Sequence, residues 1–113
     1  MSATPESRVL ADVRAWLSLH NIAHWRINTA GTPLHDGSGR YRPAPQRGIS
    51  DVLGILPGGV FLAVEVKAPK GKLSEDQRRF LLDVKEAGGV GIYVRGVADL
   101  SEQLLPYVEG RLT

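Results

Sequence analysis

The sequence of 113 residues contains no cysteine. A disulfide scaffold and a thiolate metal site are therefore excluded, and a reducing compartment is compatible with the chain. No apolar run is long enough to cross a membrane. The opening "MSATPESRVL" has no basic segment followed by an apolar stretch, so no signal peptide is expected. A cytoplasmic location is the expectation. Neither sign of charge dominates: 14 Lys and Arg face 12 Asp and Glu, for a net charge of +2. That balance permits a nucleic-acid partner without demanding one. Hydrophobic residues at 42% and charged residues at 23% are ordinary globular values. The length suits one domain, residues 1–113, with a core that needs no metal or disulfide staple.

Periodicity supplies the elements. Residues 5–20 predict a helix, with Glu6, Val9, Leu10, Val13 and Leu17 on one stripe, Trp16 beside it and Pro5 in the first turn. Ser2 or Thr4 is the candidate cap. Residues 22–28 read as a strand. The segment "TAGTPLHDGSGRYRPAPQRG", 29–48, has no period and reads as a long, flexible loop, basic through Arg40, Arg42 and Arg47 with Tyr41 among them. Strands follow at 49–56 and 60–68, joined by a Pro-Gly-Gly turn into a hairpin. Ser74 and Gln77 have capping-box spacing at the head of a second helix, which ends at Gly88-Gly89. A strand at 90–95 and a helix at 97–110, bent or stopped near Pro106, complete the order α-β-β-β-α-β-α. A helix between the strands at 60–68 and 90–95 predicts a parallel crossover. The fold class is α/β, a mixed central sheet flanked by helices. Trp16 and Trp25 are expected in the core. His20, His24 and His35 show no ligand pattern.

Three charges interrupt the apolar hairpin: Asp51, Glu65 and Lys67. Alternation puts Val60, Leu62, Val64 and Val66 on one face of their strand, and Phe61, Ala63, Glu65 and Lys67 on the other. A modest hairpin register brings Asp51 beside Glu65. Two adjacent carboxylates repel unless a cation lies between them. Hard oxygen ligands suit Mg²⁺ or Mn²⁺, and the Val66 carbonyl is a further candidate ligand. Such an ion activates water and stabilises phosphate charge. Lys67 would orient or deprotonate the water, or neutralise the phosphate. Taken alone, Glu-x-Lys on a strand also describes a solvated ion-paired face.

The ordered set "GISD" (48–51), "EVK" (65–67), "GKLSEDQRRFL" (71–81) and "AGGVGIYVR" (87–95) resembles the PD-(D/E)XK nuclease superfamily. More closely, it resembles the virus-type replication-repair nuclease (VRR-NUC) family in its short stand-alone form. The resemblance spans nearly the whole chain. It implies a restriction-endonuclease-like core and metal-dependent DNA cleavage leaving 5′-phosphate and 3′-hydroxyl ends. It matches Asp51 and Glu65 to metal-binding acids, Lys67 to the catalytic lysine and Gln77 to a supporting glutamine. Glu6 corresponds to an acid on the first helix that helps hold metal; an acid at a helix N-terminus is also favourable in itself. Ser50 stands where the superfamily name has proline. The short form also implies a homodimer acting on branched DNA such as four-way (Holliday) junctions, in a bacterial or phage setting. Arg40, Arg42, Arg47, Lys70, Lys72 and Arg78 are candidate DNA-backbone contacts, or solvated surface. A branched-DNA-binding module that does not cut, and a nuclease subunit that needs a partner, are the alternatives.

Overall fold

The computed structural model describes residues 5–27, 32–42 and 47–109, with the backbone alone at 32, 33, 41 and 42. The main elements follow the predicted order. Helix α1 (Pro5–Leu19) leads to strand β1 (Ala23–Arg26). Asn21, at φ 58°, makes the left-handed turn between them. The capping residues proposed ahead of Pro5 lie outside the described residues.

The segment read as a loop holds a small antiparallel pair, β2 (Thr32–Pro33) and β3 (Tyr41–Arg42). Its strands are too short to leave a period in the sequence. At its tip Ser38 N donates to Asp36 Oδ1 and Arg40 N to Ser38 Oγ, a local polar turn.

Strand β4 (Val52–Leu56) starts later than the sequence suggested, so Asp51 precedes the strand rather than lying in it. Strand β5 (Val60–Val66) pairs with it antiparallel. Gly58 and Gly59 turn the hairpin at φ 84° and 78°, values that only glycine takes without strain. Helix α2 (Glu75–Glu86) then crosses over to β6 (Val90–Val94), which lies parallel to β5. Helix α3 (Val97–Glu109) closes the chain. The sheet order is β1-β4-β5-β6.

The sheet sorts its two faces by alternation. Val52, Leu56, Leu62, Val64, Val66 and Val94 pack against Val13 and Leu17 of α1 and Leu100, Leu104 and Val108 of α3. On the other face Ala63 and Leu53 pack against Phe80, Leu81 and Val84 of α2. Gly91 lets β6 come close to that helix: a Cβ there would meet Leu81 O at 2.7 Å.

Helix α3 fills nearly the whole predicted span 97–110 and continues through Pro106 to Glu109. Burial of Leu104 and Val108 on either side of the proline outweighs the helix hydrogen bond it cannot donate. Trp25 is 54% exposed, not core. It lies on edge strand β1, and α2 packs against β5 and β6, leaving the β1 side of that face bare. Trp16 does pack against the core and lies over His20, with ring centroids 4.1 Å apart.

Candidate active site

The β4–β5 register sets Val52 opposite Val64. One step further along, Asp51 and Glu65 face each other. Asp51 is fixed from both sides: its carbonyl accepts from Ile27 N and its Oδ2 accepts from Val66 N, each at 2.8 Å. The chain before it is docked by Gly48, at φ 77°, whose backbone lies so close to Asp76 in the first turn of α2 that no Cβ fits. Arg47 adds an exposed ion pair to Asp76 at 3.6 Å. The glycine of the "GISD" stretch thus ties Asp51 to the helix that carries Gln77.

Glu65 is 2% exposed. Its Oε1 accepts from Gln77 Nε2 at 3.0 Å and lies 3.7 Å from Lys67 Nζ. Its Oε2 is buried and accepts no hydrogen bond. Burial pushes the Glu65 carboxyl up to about 8. The Asp51 charge and a hydrogen bond between the two carboxyls push the same way, Lys67 opposes them, and Glu6 adds a smaller push upward. A hydrogen bond between two carboxyls needs a proton on one of them. When both are ionised, Oε2 has no donor at all.

Gln77 has two duties. Its backbone N–H donates to the Ser74 hydroxyl oxygen, and its Oε1 accepts from Ser74 N, completing the capping box. With Oε1 taken by the cap, the amide offers Glu65 its N–H. The capping box and the hydrogen bond to Glu65 are thus made at the same time by one side chain.

The other candidates divide. Glu6, in the first turn of α1, lines a cleft of about 450 Å³ with Asp51, Val66, Ala68 and Arg26. Among the described residues, no three His, Asp or Glu side chains close into one metal cluster, so Glu6 shares the cleft without joining the Asp51–Glu65 pair. Lys70 and Lys72 are exposed on the turn after β5. Arg78 is exposed on α2 and pairs with Glu75 at 4.0 Å. Arg40 is exposed on the small hairpin, 3.7 Å from Asp36. The Arg42 side chain lies outside what is described. Arg26 escaped the sequence reading because nothing local separates it from a solvated strand residue. Its place on the cleft follows from β1 pairing with β4, which sets it opposite Val52, next to Asp51.

The donor set fits a hard divalent cation. Asp51 and Glu65 present adjacent carboxylates, one carrying a buried oxygen with no donor, in a place where ionising both without a counter-charge is disfavoured.

A solved structure described as a VRR_NUC domain superposes with a TM-score of 0.64, covering 93% of this chain and 98% of that one at 24% identity. The two chains thus share a small α/β fold, here built on a four-stranded mixed sheet. The model of the VRR-NUC domain family matches residues 40–98, more than half of the sequence, and the chain belongs to that family. The matched span holds Asp51, Glu65, Lys67 and Gln77, and leaves Glu6 and Arg26 outside. None of the curated proteins matches the chain.

Proposed function

We propose that the chain is a Mg²⁺- or Mn²⁺-dependent DNA endonuclease, selective for branched DNA such as four-way junctions. The observation that carries the proposal is the buried Glu65 carboxylate, with one oxygen held by Gln77 and the other without a donor, set against Asp51 and flanked by Lys67. Asp51 and Glu65 would hold the ion, with the Val66 carbonyl as a further ligand and Glu6 helping through water from the same cleft. The bound ion supplies Lewis acidity toward the phosphate and a lowered pKa for water.

The protein's own groups do the rest. Gln77 fixes the Glu65 carboxylate by donating to Oε1. Lys67, with its side chain mostly buried and its ammonium against Glu65, orients the attacking water and offsets the charge that builds on the phosphate. Arg26, on the same cleft as Asp51, and Arg40, Arg42, Arg47, Lys70, Lys72 and Arg78 contact the DNA backbone. The products carry 5′-phosphate and 3′-hydroxyl ends. Symmetric cleavage of a junction needs two sites, and this sequence carries one Asp51–Glu65–Lys67 set. A two-fold homodimer supplies the second.

The test is cleavage of labelled four-way junction, flap and plain duplex DNA with Mg²⁺, with Mn²⁺ and with EDTA, beside a Glu65→Ala control. Metal-dependent cutting that the control loses is the expected outcome, with the junction cut fastest. Binding of the junction without cutting would favour a module that only binds, or a subunit needing a partner. Sedimentation at assay concentration checks the dimer.

A further inference from the structure

We infer that Arg95 is a positioning residue for Lys67. The inference rests on the nuclease reading for its catalytic meaning, and on geometry for the placement itself.

Lys67 is where β5 leaves the sheet. Its N–H donates to Val94 O at 3.0 Å, and β5 ends at Val66. One residue further along β6, the backbone ladder has nothing left to pair. There Arg95 reaches across instead. Its Nη1 donates to Ala68 O and to Pro69 O, each at 2.8 Å, so a charged side chain continues the connection for two more residues. Gly71 N also donates to Ala68 O, at 2.9 Å, which closes residues 68–71 into a turn. That turn supports the lysine. A Cβ on Gly71 would lie 3.4 Å from Lys67 Cδ, so the aliphatic part of Lys67 runs along the glycine on its way to Glu65. The contacts run from Arg95 to the two carbonyls, to the turn, to the lysine stem and to Nζ beside Glu65.

Arg95 is itself held. Its N–H donates to Asp99 Oδ2 at 3.2 Å, while Asp99 Oδ1 accepts from Gln103. The guanidinium carbon lies 5.7 Å from the Tyr93 ring centroid. A surface arginine with its guanidinium over one ring and one nitrogen shared by two carbonyls is committed to the protein rather than left to solvent.

The experiment compares wild type with Arg95→Ala, Arg95→Lys, Lys67→Ala and the double variant Lys67→Ala/Arg95→Ala. Thermal unfolding of each variant confirms that it folds. Arg95→Ala is expected to lower kcat about 10- to 100-fold, since small misplacement of a reacting group costs that much. KM and salt dependence stay as in wild type. The double variant cuts no more slowly than Lys67→Ala. Arg95→Lys keeps the charge but spans one carbonyl at most, and recovers kcat only in part. Without metal or DNA, amide exchange at Gly71 speeds up in Arg95→Ala and the Lys67 side-chain resonances shift.

A rise in KM with unchanged kcat, together with a salt slope smaller by about 0.9, would make Arg95 a phosphate contact and overturn the inference. So would unchanged exchange at Gly71, or additive losses in the double variant. Wild-type protein that cuts no DNA sinks the nuclease reading by itself. In that case the Gly71 and Lys67 signals still decide whether Arg95 places the lysine.

Discussion

The two faces of β5 make the sharpest contrast in the molecule. Leu62, Val64 and Val66 point to one side and are wholly buried among α1 and α3. Ala63, Glu65 and Lys67 point to the other, under α2. The residues alternate along β5 and the position just after it, and all but Lys67 are buried. One side follows the rule that buried surface is apolar, and the other violates it at Glu65. A carboxylate with an unpartnered buried oxygen is costly. Its burial is understandable where an ion completes it.

Substitutions on the two faces should therefore fail in different ways. The largest effect expected is on activity: Glu65→Gln removes metal-dependent cleavage while leaving unfolding by urea no easier than in wild type. A variant that unfolds early would break the contrast. On the opposite face, Leu62→Ala should lower stability by about 2–5 kcal/mol through lost burial and the cavity left behind. Metal-dependent cutting should survive in it below its unfolding temperature.

The third expectation concerns pH. The Glu65 carboxyl is pushed up to about 8 in the folded, metal-free chain, against about 4.3 for an unfolded glutamate. Between those values the folded state holds the extra proton, so stability is greatest at the acid end and falls as pH rises toward about 8. Melting in EDTA from pH 5 to 8 should show this decline, and Glu65→Gln should flatten it. Added Mg²⁺ should lift stability most at the high end, where the carboxylates are ionised. A metal-free melting temperature that climbs steadily over this range would contradict the raised carboxyl.

The smallest effect sharpens the contrast from a neighbouring residue. Ser50 is fully buried, and its hydroxyl, like Glu65 Oε2, has no partner. Removing an unsatisfied buried hydroxyl should stabilise the chain by about 1 kcal/mol. Ser50→Ala is thus expected to melt higher and cut as well as wild type. Two unsatisfied oxygens are then told apart by what their removal does to function.

Much of this was legible in the sequence because it depends on short-range rules. Alternation put Glu65 and Lys67 on one side, the Pro-Gly-Gly turn put Asp51 opposite, and Ser74–Gln77 announced both the helix start and the residue that reaches Glu65. What could not be read was the reach of one element over another. Trp25 is exposed because α2 stops short of β1, a fact of packing. Pro106 stays helical because Val108 beyond it is buried by α1 and the sheet. Arg95 and Arg26 acquire meaning only through strand neighbours far away in sequence. The small β2–β3 pair is held by so few residues that no pattern marks it.

The Ser74–Gln77 cap has one more consequence. Gln77 reaches Glu65 from a side chain whose other end closes the first turn of α2, and Gly48 rests on Asp76, the preceding residue of that same turn. Asp51, Glu65 and Lys67 leave the ribosome before this helix does. On the nuclease reading, the nascent chain therefore carries its acids and lysine unassembled, and the ability to cut arrives only when α2 docks.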